Sequence, residues 1–238
     1  MNIDILAFGA HPDDVEISCG GTLLRYANEG KQIAIVDLTQ GELGTRGSGA
    51  LRMEECKAAS QILGLVDRVN LGMADGFFEE NEDHLHQIIR EIRHFRPKLI
   101  FANSIRDRHP DHGRAAALVA RAAFLSGLPK IKTERNGISQ EAYRSPMLLH
   151  YIQDMYIEPD VVLDVSAYAE EKIKLVQCFS SQFFDPNSTE PETPISNAHF
   201  FEFMKGRMLQ FGRPIGAKYA EGFTVNRTLG VSDLFHLI

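Results

Sequence analysis

Over its first half the chain alternates short, wholly apolar runs with segments of helical periodicity, and this constrains its fold more than any other feature. Residues 3–10 form an apolar run that ends in a turn at His11. The segment 15–29 carries Val15, Leu23, Leu24 and Ala27 at helical spacing and reaches Gly30, a residue suited to the left-handed position after a helix. Residues 33–38 are a second apolar run. Residues 50–63 are a second helix, with Leu51, Cys56, Ala59, Ile62 and Leu63, and it stops at Gly64. A short strand is expected at 68–71. Asn81 is placed to cap a helix bearing Leu85, Ile88, Ile89 and Ile92 on one face, and Pro97 stops it. Residues 98–102 give a fourth strand and 113–125 an alanine-rich helix.

Strands that are apolar throughout, rather than at every second residue, are covered on both faces. Helices between them supply the cover. The expectation is an α/β chain with a Rossmann-like, doubly wound, mostly parallel sheet and helices on both faces. Further strands are expected at 147–152 and 161–165, and helices at 168–179 and 200–211. Residues 183–197, with Pro186, Pro191 and Pro194, form a loop of a length usually tied to function. No linker or internal repeat interrupts the 238 residues, which read as a single domain, 1–238. Its C-terminal part, about 183–238, is expected to complete the site or an oligomer interface through Phe200, Phe201, Phe203 and Phe211.

Composition narrows the class. The chain is 44% hydrophobic and 24% charged, ordinary for a globular domain, and its net charge of −7 argues against a nucleic-acid partner. No run approaches 18 apolar residues, so no membrane-spanning helix is expected. The N-terminus has no basic leader or apolar signal region. Cys19, Cys56 and Cys178 cannot all pair within the chain, which fits a reducing compartment, and a cytoplasmic location is expected.

Two clusters carry the chemistry. Ala10-His11-Pro12-Asp13-Asp14-Val15-Glu16 follows the first strand, and Arg106-Asp107-Arg108-His109-Pro110-Asp111-His112 follows the fourth. In a sheet of order 3-2-1-4-5 these strands are neighbours, and ligands bind at the point where strand order reverses. The glycine-rich dinucleotide turn is missing, since Gly20-Gly21 comes too late. A His, an Asp and a second His suit zinc with one position open to water, and the same set suits non-haem iron(II). Two carboxylates and one His remain, with the residue types of a general base, an orienting acid and an oxyanion stabiliser. Against this stands a simpler reading, in which each Asp only caps the helix that follows. A magnesium-dependent phosphoesterase and a metal- or sugar-binding module are the rival functions. His84, His86 and His94 are expected on an exposed face, His150 in the core, and His199 and His236 without partners.

The two clusters match the paired motifs A-H-P-D-D-x-E and H-P-D-H, and in them the chain resembles the LmbE-like (PIG-L) N-acetylglucosaminyl deacetylases. The likeness extends to Thr39-Gln40-Gly41-Glu42, to Arg52 at a helix start and to Ala220-Glu221-Gly222-Phe223. The opening residues 4–10 and Arg108 look most like the bacillithiol branch, which deacetylates N-acetylglucosaminyl malate.

The resemblance implies a zinc-dependent N-deacetylase (iron(II) being the alternative metal) in which His11, Asp14 and His112 hold the metal. Asp13 would be the general base, and His109, with Asp111 behind it, would stabilise the oxyanion. Glu16 and Arg108 would support the site. Arg52, Arg46 and Glu42 would meet the small-molecule substrate, an arginine being suited to the malate carboxylates. A homo-oligomer is implied, and chitin fragments or other N-acetyl sugar conjugates are the alternative substrates. Some relatives carry a Tyr two residues before the oxyanion His. Here that position is Asp107.

Overall fold

The computed structural model describes residues 1–237; Ile238 and the side chain of His236 lie outside the described residues. In chain order the elements are β1 (Ile5–Gly9), α1 (Asp14–Asn28), β2 (Ile33–Thr39), α2 (Gly49–Leu63), β3 (Asp67–Met73), α3 (Glu82–Phe95), β4 (Leu99–Ala102) and α4 (Pro110–Ser126). There follow β5 (Glu134–Arg135), β6 (Ile138–Ser139), β7 (Met147–Tyr151), β8 (Val161–Asp164), α5 (Ala169–Val176), α6 (Phe200–Gly212) and β9 (Ala220–Thr224). One seven-stranded sheet runs β3-β2-β1-β4-β7-β9-β8. The first five strands are parallel, and β9 is antiparallel to both its neighbours.

Alternate residues of β1 serve opposite cores. Leu6 and Phe8 pack with Ile88, Ile92, Leu118 and Val119 of α3 and α4. Ile5 and Ala7 pack with Val15, Leu23, Cys56 and Leu175 of α1, α2 and α5. Every residue of β1 and β2 is buried, which is why the sequence there is nearly all apolar, Asp37 being paired with Arg68. Each fully buried Phe or Leu contributes roughly 1.5–3 kcal/mol over leaving it exposed. The doubly wound expectation holds.

Several local expectations are corrected. α4 begins at Pro110, so Asp111 lies in its first turn and is not its cap; His109 is, with Nδ1 accepting the Asp111 N–H at 3.3 Å. Asp13 makes no capping bond to α1. β9 was legible only as a motif, because Glu221 and Gly222 interrupt its apolar pattern. The β5–β6 hairpin turns on Asn136-Gly137, both at positive φ (52° and 75°), a turn signal that the sequence carries. His84, His86 and His94 are half-buried rather than exposed, and His84 Nδ1 bonds the Glu79 carbonyl at 2.8 Å. His199 has a partner after all, its Nδ1 lying 3.0 Å from Glu202 Oε2 one helical turn on. His150 is a core residue whose Nδ1 donates to the Asn103 carbonyl at 2.9 Å. Among the described residues, no helix is long and apolar enough to cross a membrane.

Gly20-Gly21 has a structural use. α1 is kinked at Cys19 (φ −133°), which releases the Gly21 and Thr22 amides to donate to Glu221 of β9 at 2.9 and 2.6 Å. A Cβ at Gly21 would stand 3.0 Å from Glu221 Oε1 and 3.1 Å from Val165, so only glycine permits this approach.

Candidate active site

β1 and β4 pair directly, Ile5 opposite Leu99 and Ala7 opposite Phe101, so the turns at their carboxyl ends meet. The three imidazoles converge. Ring centroids lie 4.7 Å apart for His11 and His109, 5.7 Å for His11 and His112, and 5.1 Å for His109 and His112. Asp14 sits between two of them. Its Oδ2 is 3.6 Å from His11 Nδ1, and its Oδ1 is 3.1 Å from His112 Nε2. Asn103 and Gln153 each donate an amide to Asp14 at 3.0 Å and fix the carboxylate.

Each flanking imidazole has a carboxylate on its far side. His11 Nε2 donates to Asp75 Oδ1 at 2.9 Å and stands 3.5 Å from Asp111 Oδ2. His112 Nδ1 donates to the fully buried carboxylate of Asp107. A metal-binding His typically has this second partner, which orients the ring and raises its basicity. Among the described residues, donor atoms of His11, His109 and His112 lie within 4.8 Å of one another, as do those of His11, Asp75 and Asp111. His109 thus stands with the candidate ligands.

Electrostatics favour positive charge here. Burial opposes protonation of His11, yet the carboxylates of Asp111, Asp14 and Asp75 hold its pKa well above the usual value. His112 is raised to about 9, Asp14 and Asp107 outweighing burial. Asp14 is held well below the usual carboxylate range by the same two imidazoles, despite burial. A divalent cation meets the same demand by displacing these protons, and the donor set of two imidazoles and a carboxylate fits one.

Asp13 is built differently. Its backbone is left-handed at φ 106°, a strain of order 1–3 kcal/mol for a residue that is not glycine. The carboxylate lines the cavity, and its Oδ2 is buried without a hydrogen-bond partner. Burial raises its pKa to about 7; the Arg52 charge partly offsets this, and Asp14 adds to it. His109 is held below its usual pKa by burial and by the charges of His11 and His112. Because its Nδ1 accepts from the Asp111 amide, its proton sits on Nε2.

The remaining expected residues are divided. The Asp111 carboxylate is not behind His109. It accepts from Gly76 N at 2.9 Å and Arg114 Nη1 at 2.8 Å and faces His11. Glu16 is fully buried against Arg68 at 2.5 Å, and Arg68 also grips Asp37, so Glu16 ties α1 to β2 and β3. Arg52 and Arg108 line the cavity, Arg108 paired with Asp154 at 2.5 Å. Arg52 donates to Gln182 and weakly to the Pro12 carbonyl, while its Nε is buried without a partner. Arg46 and Glu42 are not in the cavity lining. Arg46 faces Glu190 at 3.5 Å, and Glu42 accepts the Asp75 amide at 2.8 Å. The sequence reading missed Asp75, Asn103, Gln153 and Gln182. Asp75 and Asn103 follow β3 and β4, at the carboxyl ends where the switch-point argument directs attention.

The cavity measures about 530 Å³. Residues 192–195 of the proline-containing loop and Phe200, Phe203, Met204, Arg207, Met208 and Phe211 of α6 line it together with the imidazoles.

Residues 6–124 match the PIG-L family, described as GlcNAc-PI de-N-acetylase. The diacetylchitobiose deacetylase of Thermococcus kodakarensis is 26% identical over 248 aligned positions, 98% of this chain and 88% of that protein. A probable N-acetyl-α-D-glucosaminyl L-malate deacetylase of Bacillus anthracis is 28% identical, covering 75% of this chain and 81% of that one. Among solved structures, the conserved protein TT1542 of Thermus thermophilus superposes with a TM-score of 0.85 at 33% identity, covering 97% of this chain and 98% of that one. The motif pair, the sheet that joins its two halves and these likenesses agree: the chain belongs to the PIG-L, or LmbE-like, family of de-N-acetylases.

Proposed function

We propose that the protein hydrolyses the N-acetyl amide of an N-acetylglucosaminyl conjugate, releasing acetate and a free amine. The observation that carries this reading is Asp14 held between two imidazoles that are each backed by a carboxylate, beside the strained, unpartnered Asp13. His11, Asp14 and His112 would hold the metal, zinc by donor type, with iron(II) suited to the same set. When bound, such a metal acidifies water and polarises an amide carbonyl.

The chain's own residues then divide the work. Asp13 takes a proton from the attacking water and returns it to the leaving nitrogen as the carbon–nitrogen bond breaks. His109 donates from Nε2 to the carbonyl oxygen as negative charge develops there. Asp107 and Asp75 orient His112 and His11, and Asp111 shares the far edge of His11. Arg52 stays beside Asp13, where Gln182 positions it. The segment 183–238 completes the wall of the cavity as part of the same unit.

N-acetylglucosaminyl malate is the conjugate favoured by the likeness to the Bacillus protein, and diacetylchitobiose by that to the Thermococcus protein. Incubating zinc-loaded protein with each, and with free N-acetylglucosamine, and quantifying amine tests the reading. Amine from at least one substrate, lost on chelation, is expected. No amine from any of them would refute it.

A further inference from the structure

One wall of the cavity is apolar. Phe203, Met204, Met208 and Phe211 of α6 line it together with Ile152 and Ile195. Packing holds this wall in shape: Phe211 stacks on Tyr156 at 5.9 Å between centroids, and the neighbouring Phe200 on Phe183 at 5.2 Å. Methionine side chains among fixed aromatic rings give an apolar surface that adapts to different occupants.

Each cation lining the cavity has a partner, although Arg108 bonds through Nε alone and the Nε of Arg52 is buried without one. Arg207 donates to the carbonyls of Gln153 and Asp154, both at 2.8 Å. Lys172 is bound to Glu221 at 2.6 Å with both side chains buried. Arg108 is paired with Asp154, and Arg52 donates to Gln182 and the Pro12 carbonyl. A dianionic group such as malate would lose water against these Phe and Met side chains and, without breaking a pairing, would find only the unbonded N–H groups of arginines such as Arg108. An apolar group would displace water from the wall and break no pairing.

We infer that the site accepts a substrate carrying an apolar alkyl or aryl group, seated against α6, in preference to one carrying a carboxylate. This rests on the deacetylase reading above and deepens it. Two substrate positions supply the same chemistry: the glycosidic substituent and the tail of the N-acyl group. Each methylene buried contributes about 0.8 kcal/mol, close to a fourfold change, so a six-carbon chain that is partly covered is worth at least tenfold.

The experiment compares kcat/KM for hexyl N-acetylglucosaminide, N-hexanoylglucosamine, N-acetylglucosaminyl malate, diacetylchitobiose and N-acetylglucosamine. It is paired with calorimetric binding of the same compounds. One or both hexyl compounds should exceed the malate conjugate and N-acetylglucosamine by tenfold or more, and which one does identifies the position. Phe203, 66% exposed at the rim, can change without loss of core, and Phe203→Ser should reduce that preference at least threefold. Leu209→Ser, on an exposed part of the same helix outside the cavity lining, should not. A preference for malate or for the second sugar overturns the apolar subsite and leaves the deacetylase intact. If no compound yields amine, the deacetylase reading fails and calorimetry judges the subsite. A hexyl compound binding tenfold tighter than the malate conjugate upholds it, and equal binding overturns it.

Discussion

Asp13 and Asp14 are chemically identical neighbours, and the backbone separates their tasks. The left-handed φ of Asp13 turns its carboxylate into the cavity, while Asp14 enters α1 and meets two imidazoles and two amides. Asp13→Asn keeps the shape and removes the proposed base. It should retain metal at full stoichiometry, measured by plasma emission, while turnover falls about 10²–10⁴-fold. Asp107→Asn should weaken zinc about 10–100-fold in competition with a chromogenic chelator, because His112 loses the partner that fixes its ring. Wild-type affinity in that variant would remove Asp107 from the site's support. The sequence marked Asp107 only as a departure from the Tyr of some relatives. Its use became visible when the turn brought it back onto His112, five residues on.

Elements position these residues through contacts the local sequence does not contain. The α1 kink depends on β9, some two hundred residues away, supplying Glu221 to two freed amides, and on α5 supplying Lys172 to balance the charge. Removing the ammonium leaves a buried carboxylate uncompensated. Lys172→Met should therefore destabilise the protein by about 3–5 kcal/mol, read from urea unfolding. Gly21→Ala forces contacts of 3.0–3.1 Å on Glu221 and Val165 and should cost about 1–3 kcal/mol in the same assay. Helix ends were easier to read at Asn81 and Gly64, which act within a few residues of themselves; the start of α4 at Pro110 was not read.

Across the whole molecule, the cluster of imidazoles and carboxylates couples stability to pH. In the metal-free protein, His112 is raised to about 9, against about 6.5 for an unfolded histidine. A raised folded pKa means the contribution is complete below pH 6.5 and lost as pH rises through 9, on the order of 3 kcal/mol for this group. The melting temperature of chelated protein should accordingly fall between pH 6.5 and 9. A flat profile would mean that His112 is not held protonated. Saturating zinc, at a hundred times its dissociation constant, should restore about 2.7 kcal/mol at fixed pH.

The order β3-β2-β1-β4 followed from the doubly wound fold class; local sequence was enough to establish the alternation of buried strands and helices and the two motifs at strand ends. Each of these is written in local periodicity or in a turn, where the interacting residues are close in the chain. Other features arise only once the chain is folded. Asp75 reaches His11 across 64 positions, Gln153 reaches Asp14 across 139, and Arg52 is drawn to Gln182 across 130. Folding also leaves Arg46 and Glu42 out of the cavity lining and brings the apolar face of α6 into it. A side chain's partner is fixed by where the sheet and its covering helices bring distant segments together, and periodicity along the chain carries no record of that distance.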